Sequence, residues 1–219
     1  MKSFTSDIKE ASKLEPSLPD KAILWATQYG DSNCFPEMAA IVARKFAPLP
    51  SPLAEFGEAV SQAQKRVWII DQYFLEPEKD KGNRQNRIDQ ILNWMPEATF
   101  AANDIKLLTK SHNTTGNKEV DNDLASQFRE HAEKINKSRS KGAAQCVIEV
   151  RFTLMQNFDY VHDRFAIIDD ELWHFGATVG GFHSQVSAST RGWRASDHRD
   201  EEFFKLAWEA RSQMGKKQI

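Results

Sequence analysis

One stretch of the chain, residues 160–181, carries side chains whose types and spacing suit phosphoryl chemistry. His162 is followed two residues later by Arg164 and then by Asp169, and a glycine step begins at Gly176. An imidazole titrates near neutral pH and is a nucleophile or proton donor there, and a guanidinium binds two phosphate oxygens at once. These residues predict a site that binds a phosphodiester and attacks it. The alternative is an ordinary strand hairpin that contains a histidine.

Strand geometry divides these side chains between two faces. In a strand over residues 163–169 alternate side chains share a face, so His162 and Arg164 point the same way and can meet one phosphoryl group. Asp169 belongs to the opposite face, at the turn of the hairpin. We therefore expect Asp169 to act indirectly or structurally.

The elements around this stretch alternate between helix and strand. Helical periodicity covers residues 52–66, 84–95, 119–137 and 197–214, and short β-rich apolar runs cover 67–71, 104–110 and 145–153. Residues 163–169 and 171–177 read as a hairpin. The pattern predicts an α/β fold with a mixed, mainly parallel central sheet flanked by helices.

The first part of the chain is expected to form a segment separate from the α/β domain. Residues 21–30 and 36–46 have apolar residues at helical spacing, and three prolines follow in residues 47–56. We predict an N-terminal helical segment over residues 1–50, which could dock or dimerise, and one domain over residues 51–219.

Polar residues follow the predicted parallel strands where each one ends. These residues are Asp71 with Tyr73, Thr109 with Lys110, and Thr153. Ligands of open α/β sheets bind beyond the carboxyl ends of the strands. The fold alone therefore places polar groups around His162.

Composition limits the classes of function. The 219 residues carry 29 basic and 31 acidic side chains, a net charge of −2. The chain therefore lacks the strong positive charge that often marks a nucleic-acid-binding protein. The two cysteines, Cys34 and Cys146, lack metal-binding spacing, and no metal or cofactor is predicted. The start of the chain lacks the apolar stretch of a signal peptide, and no run is long enough to cross a bilayer, so a cytoplasmic protein without membrane insertion is expected.

The motif resembles that of the phospholipase D superfamily, H-x-K-x4-D-x6-G-S-x-N. His162, Asp169 and Gly176 match it, whereas Arg164 replaces the lysine, Ala177 the serine and Val179 the asparagine. The resemblance covers roughly residues 55–208 and implies a phospholipase D-like sandwich.

The resemblance also implies roles for individual residues. His162 would be the nucleophile that forms a phosphohistidine, or the acid, and Arg164 would hold the phosphate. Asp169 completes the motif, and Thr178 offers a hydroxyl near the serine position. Downstream acids orient the histidine in this superfamily, which makes Glu201 or Glu202 candidates, with Asp71 as a further supporting residue. No metal is required.

The chain holds one copy of the motif, so a two-histidine site needs a second subunit, and the resemblance implies a homodimer. We expect a nuclease, because small single-motif members often are nucleases, including in restriction and phage-defence modules. Three further side chains are candidates for substrate binding: His183, just past the glycine step, and Arg191 and Arg194, which flank Trp193. The alternative function is a scaffold without turnover that binds phosphate-containing ligands or a protein partner, which the missing asparagine favours.

Overall fold

A computed structural model of the chain describes residues 17–210, in which one eight-stranded sheet organises the fold. The strands are β1 (Ala22–Thr27), β2 (Gly30–Ser32), β3 (Arg66–Ile70), β4 (Asp104–Leu108), β5 (Val147–Arg151), β6 (Arg164–Ile168), β7 (Glu171–Phe175) and β8 (Ala188–Arg194). The helices are α1 (Met38–Phe46), α2 (Ala54–Gln62), α3 (Arg84–Leu92), α4 (Val120–Ser138), α5 (Leu154–Asn157) and α6 (Asp200–Glu209), and a 3₁₀ turn covers Ala195–His198.

The strand order is β2-β1-β8-β7-β6-β3-β4-β5. β3, β4 and β5 run parallel, and β6 pairs antiparallel with β3, with Ile70 opposite Phe165. Because of that direction, the amino end of β6 lies beside the carboxyl ends of β3 and β4. We call this side of the molecule the carboxyl edge.

The α/β class and the mixed sheet flanked by helices are confirmed, but the sheet is not mainly parallel. Two of the seven strand pairings in the described residues are parallel and five are antiparallel. The parallel pairings result from the βα units, because the helix of each unit returns the chain to the same edge of the sheet. β6 and β7, which follow β5 in the chain, are joined by a short link. A link of that length pairs two strands in the antiparallel direction.

The predicted helix over residues 21–30 is wrong, because Ala22–Thr27 forms strand β1. Leu24 and Ala26 are buried and the more exposed Trp25 lies between them, which is the period of a strand. Gly30 follows at a φ of +117°, which glycine adopts without strain, and turns the chain into β2. The helix predicted in residues 36–46 is confirmed as α1.

Strand β8 was also missed, since no strand was predicted over residues 188–194. β8 pairs with β7 on one side and with β1 on the other, and so joins the N-terminal strands to the rest of the sheet. Gly192 has a φ of +91°, and a Cβ there would lie 2.7 Å from the Cα of Lys21. A glycine is therefore needed where the backbone of β8 passes residue 21. Residues 1–16 of the predicted docking segment lie outside the described residues.

Two hydrophobic cores lie on opposite faces of the sheet. The larger one joins β-sheet residues such as Ile69 and Ala166 to α2, α3 and α4, and the smaller one joins Ile70 and Phe165 to α6. Successive residues of β3 and of β6 thus alternate between the two cores. In residues 17–210 no helix is both long and apolar enough to cross a membrane.

Candidate phosphate-binding site at the carboxyl edge

Three polar residues meet where β3 and β4 end and β6 begins. Asp71 directly follows β3, Thr109 follows β4, and Arg164 is the first residue of β6. The Asp71 amide donates to the Leu108 carbonyl at 3.1 Å, and the Thr109 hydroxyl donates to the Gln72 carbonyl at 3.2 Å. The polar residues that follow β3 and β4 therefore lie at one edge of the sheet, beside the first residue of β6.

Asp71 and Arg164 form an ion pair at the centre of this edge. Asp71 has no exposed surface, and its Oδ1 lies 3.7 Å from Nε of Arg164. The backbone amides of Tyr73 and Val179 donate to the same carboxylate at 2.7 and 2.8 Å. Burial raises the pKa of Asp71 to about 6, although both backbone hydrogen bonds and the Arg164 charge act to lower it.

Arg164 faces a cavity of about 430 Å³ between the carboxyl edge and α3. Its guanidinium carbon lies 5.2 Å from the ring centroid of Tyr73, and Nζ of Lys110 lies 4.5 Å from the same ring. Lys110 is paired with Glu76, which also lines the cavity. The arrangement places two cations beside one half-exposed aromatic ring, which suits an anionic ligand that carries a stacking group.

His162 lies two residues before β6, in a segment without regular structure, and its side chain is exposed. Within residues 17–210, His162 is not among the residues that line the Arg164 cavity. Its neighbours Val161 and Asp163 line a different cavity, against α6. His162 is thus close to Arg164 along the chain but is presented to the surface, where a second molecule can reach it.

The glycine step contributes backbone groups to the site, and not the serine and asparagine side chains of the motif. Gly176, Ala177 and Thr178 all line the Arg164 cavity, so Thr178 lies where a substrate-binding residue was predicted. Val179, at the asparagine position, is fully buried, and its amide holds Asp71. The Val179 side chain has no donor for a phosphate oxygen, and Val179 contributes instead through its backbone amide.

His183 lines the same cavity, as does Phe182. Its Nδ1 donates to the Gln185 carbonyl at 2.5 Å, and Ser187 Oγ lies 3.4 Å from Nε2. Burial lowers the pKa of His183 to about 4, and the positive charges of Arg44 and Arg87 act in the same direction. His183 is therefore a neutral hydrogen-bonding group of the wall at pH 7.

Arg87 and Glu78 also belong to this wall, and the sequence analysis missed both. Arg87, on α3, donates to the Phe74 and Phe182 carbonyls at 3.2 and 2.8 Å, and Glu78 accepts two hydrogen bonds from Ser184. Arg87 lies in the helix predicted over residues 84–95 and Glu78 in the loop before it, and nothing in the sequence marks either charged side chain as part of a site. Burial lowers the pKa of Arg87 to about 10, although the negative charges of Asp71 and Glu78 act to raise it.

Asp169 lies at the opposite end of β6 from Arg164, so its grouping with catalytic residues is not supported by its position. Its carboxylate accepts hydrogen bonds from the amides of Gln64, Lys65 and Arg66, at 2.6–3.2 Å. Its backbone has a φ of +52°. Asp169 closes the turn and fixes the start of β3, which agrees with the structural role that strand alternation predicted.

The two arginines predicted to bind substrate lie on the same distant side as Asp169. Arg191 is bonded to Glu171 at 2.9 Å and Glu55 at 2.5 Å, and Arg194 is paired in register with Glu171. The direction of β8 is the physical reason, because its last residues run away from the carboxyl edge. Neither arginine lines the Arg164 cavity.

Neither predicted orienting acid is shown beside His162. Glu201 binds Arg66 at 2.8 Å and Lys205 at 2.6 Å, and the hydrogen bond from Arg66 lowers the pKa of Glu201 to about 2. Glu202 pairs with Arg199 at 2.9 Å and lines the cavity against α6. Glu201 anchors the start of α6 to the start of β3.

The cavity against α6 has a volume of about 650 Å³ and contains two histidines that the motif did not include. His174 is stacked on Phe165 with ring planes 5° apart, and His198 lies on the 3₁₀ turn. Asp163 and Asp200 line the same cavity, and burial raises the pKa of Asp200. Within residues 17–210 no three His, Cys, Asp or Glu side chains are grouped as a metal site.

Solved structures similar to this chain include Nuc from Salmonella typhimurium, a phospholipase D family member. It is 13% identical with a TM-score of 0.44, and the match covers 86% of this chain and 95% of that one. NucT from Helicobacter pylori is 9% identical with a TM-score of 0.43, covering 87% and 97%.

A third similar structure is TrmBL2, an archaeal chromatin protein that binds DNA, at 12% identity and a TM-score of 0.36. The match covers 71% of this chain and 47% of TrmBL2, so the chain spans about half of that protein's length. No protein-family model matches the chain, and no curated protein matches it by sequence.

Proposed function

We propose that this protein is a metal-independent phosphodiesterase that acts on nucleic acid as a homodimer. The observation that carries the proposal is the position of Arg164, which the buried Asp71 fixes at the carboxyl edge, two residues from the exposed His162. A fixed guanidinium is a phosphate clamp, and an exposed imidazole is an available nucleophile.

In the proposed reaction an imidazole nitrogen of His162 attacks phosphorus while the bond from phosphorus to the leaving oxygen breaks. His162 of the partner subunit donates a proton to that oxygen. Water then attacks the phosphohistidine, loses a proton to the same partner histidine, and releases the phosphate product with a free His162. Arg164 neutralises charge on the non-bridging oxygens in both steps.

Nucleic acid is the proposed substrate because cations and an aromatic ring occur together at the edge. Arg164 and Lys110 lie beside the half-exposed ring of Tyr73, where a base can stack while its phosphate is held. A role in a restriction or phage-defence module belongs to the same proposal and rests on the resemblance of the motif.

The homodimer is supported by an exposed apolar stripe on α1. Met38, Val42 and Phe46 are 72%, 45% and 72% exposed and recur every four residues, on one face of the helix. Exposed Glu37 and Lys45 lie at opposite ends of this helix. Two copies of α1 packed antiparallel about a two-fold axis would bring each Glu37 toward the partner's Lys45, so we assign the stripe to a second copy of this chain.

One observation favours a second function, a scaffold that binds phosphate without turnover. The asparagine position is the buried Val179 and the serine position is Ala177, so two polar side chains of the motif are absent. Binding through Arg164 does not require them. In the enzyme, His162 is consumed as a nucleophile and then regenerated, whereas in the scaffold it is not.

The test is cleavage of labelled single- and double-stranded DNA, RNA and bis(p-nitrophenyl) phosphate in the presence of EDTA. Wild type is compared with His162→Ala and with His198→Ala, which removes another exposed histidine. The proposal expects EDTA-resistant cleavage that is lost in His162→Ala and kept in His198→Ala. Equal inertness of all three folded proteins on every substrate would leave the scaffold function in place of the enzyme.

A further inference from the structure

The cavity against α6, which we call the α6 cavity, lies immediately beside His162. Val161 and Asp163, the residues on either side of His162 in the chain, both line it, and consecutive Cα atoms are about 3.8 Å apart. Arg164 and Phe165 are consecutive in β6 and point to opposite faces of the sheet, so Arg164 lines its own cavity and Phe165 lines the α6 cavity. The two cavities therefore flank the amino end of β6, and the exposed His162 lies at that end.

Part of the α6 cavity has an apolar lining that includes an accessible aromatic ring. Phe203 of α6 is half-buried, and its ring centroid lies 6.3 Å from that of Phe165, with the ring planes 53° apart. Leu206 lies on the same face of α6, three residues further along, and is 63% exposed. The volume of about 650 Å³ is within the range of small-molecule sites. A flat heteroaromatic ligand would gain by stacking on this part of the lining.

Carboxylates make up much of the polar part of the lining. Asp163, Asp200 and Glu202 all line the α6 cavity, and Arg199, which lines it too, pairs with Glu202 at 2.9 Å. Within residues 17–210, neither Asp163 nor Asp200 is in an ion pair. An ionised carboxylate has about four acceptor positions, so both residues can accept from a ligand. The same negative charges repel a phosphate, which belongs instead at Arg164.

This lining favours a ligand that is flat, uncharged and a hydrogen-bond donor. The amino group of cytosine is a donor that Asp and Glu side chains recognise. The half-buried His174 also lines the cavity, and its ring nitrogens can donate to or accept from the same base edge. Uracil carries an oxygen where cytosine carries its amino group, and that oxygen is an acceptor that a carboxylate repels. A base that presents this edge must be unpaired, because base pairing uses the same donors and acceptors.

We propose that the α6 cavity binds an unpaired nucleobase with an exocyclic amino group, from a nucleotide whose phosphodiester lies at His162 and Arg164. The base would stack on Phe203 and donate its amino protons to Asp163. This inference rests on the proposed function for the place of the scissile phosphate. It deepens that function, because it makes a single strand the substrate and gives cleavage a preference for the base beside the scissile bond.

The first test measures equilibrium binding of labelled 12-nucleotide oligodeoxycytidine and oligodeoxyuridine to the His162→Ala protein near neutral pH. The cytidine oligomer should bind about tenfold more tightly, the size of a hydrogen bond to a charged acceptor. Adding Asp163→Ala should reduce this ratio to about twofold or less. Adding Asp159→Ala, which removes the same charge from an exposed residue nearby that does not line the cavity, should leave the ratio unchanged. Because both substitutions remove a negative charge, the ratio of the two Kd values decides, and not either Kd alone.

A second variant tests the apolar part of the lining. Phe203→Leu keeps an apolar side chain and removes the ring on which the base would stack. It should weaken binding of the cytidine oligomer about fivefold or more, and a thermal melt of the same variant shows whether the fold is kept. Unchanged binding by folded Phe203→Leu would overturn the stacking arrangement.

Cleavage with His162 intact separates this inference from the proposed function. Preferential cleavage of the cytidine oligomer that is lost in Asp163→Ala and kept in Asp159→Ala supports both. Cleavage of both oligomers at equal rates, with a Kd ratio near one, overturns the base-binding cavity and leaves the nuclease. If wild type cleaves neither oligomer, the proposed function fails, and the Kd ratio still decides the cavity: a ratio near one, or a ratio that survives Asp163→Ala, overturns it.

Discussion

The guanidinium Nε of Arg164 lies 3.7 Å from Oδ1 of Asp71, a carboxylate with no exposed surface that also accepts hydrogen bonds from the amides of Tyr73 and Val179. The cation predicted to hold phosphate is thus oriented by a buried anion that is bonded to the loops following β3 and β7. The same carboxylate connects the glycine step to the strand that carries Arg164. Changes at Asp71 should therefore act on the site through position rather than by contact with the substrate.

Asp71→Asn should lower kcat/KM on the phosphodiester reporter about tenfold, because the amide keeps the shape but cannot hold Arg164 by charge or accept from both backbone amides. Arg164→Gln should lower kcat/KM at least as much, since it removes the clamp itself. The double variant should be no worse than Arg164→Gln, because the two residues act as one unit. Additive losses in steady-state kinetics would show that Asp71 acts separately; Asp104→Asn, at the other end of β4, is the control.

Stability should depend on pH through Asp71. Burial raises its folded pKa from 3.8 to about 6, so the folded state binds the proton more tightly than the unfolded state does. Its contribution to stability is fully present below about pH 4 and is lost as pH rises through about 6, at up to about 1.4 kcal/mol per pH unit. Urea unfolding of wild type and Asp71→Asn between pH 4 and 7 measures this, and parallel curves would contradict it.

His183 should have the opposite pH signature. Burial lowers its folded pKa from 6.5 to about 4, so its contribution to stability is fully present above about pH 6.5 and is lost as pH falls through about 4. His183→Gln should remove this loss and should change kcat/KM at pH 7 less than about threefold, because a neutral wall residue is replaced by another hydrogen-bonding group. A loss of kcat comparable with that of His162→Ala would instead place His183 in the chemistry.

Asp169→Ala should destabilise the fold and spare the chemistry. The carboxylate satisfies the amides of three consecutive residues at the start of β3, and its loss leaves them without an acceptor while placing alanine at a φ of +52°. We expect a loss of about 2–4 kcal/mol in the free energy of unfolding, with kcat of the folded protein within about threefold of wild type. Asp170→Ala, in the same turn, should cost less. A normal Tm with abolished turnover would return Asp169 to the catalytic residues.

The carboxyl edge could be predicted from the sequence because it follows from local patterns. Each of Asp71, Thr109 and Thr153 comes directly after a short apolar run, and parallel strands place such residues side by side. The turn role of Asp169 followed from its parity with Phe165 and Ile167. These inferences need only the strand period and the direction of the βα units.

The remaining site residues could not be predicted, because their positions depend on long-range pairing. Without β8 in the prediction, the direction of Arg191 and Arg194 relative to Arg164 was undetermined, and strand β1 resembled a helix by its apolar spacing. Arg87 donates to the carbonyl of Phe182, which is 95 residues away along the chain, so its place in the site follows only from the folded structure.

The oligomeric state tests the partner assignment independently of activity. Phe46 is 72% exposed at the end of an apolar stripe, so Phe46→Glu should leave the fold intact and introduce two buried like charges into a two-fold interface. Sedimentation equilibrium should show a dimer for wild type and a monomer for Phe46→Glu at the same micromolar concentration. Leu206→Glu, at another exposed apolar residue on α6, is the matched control and should remain dimeric. A dimer that survives Phe46→Glu but not Leu206→Glu would move the interface to the α6 side, next to the cavity that Val161 and Asp163 line.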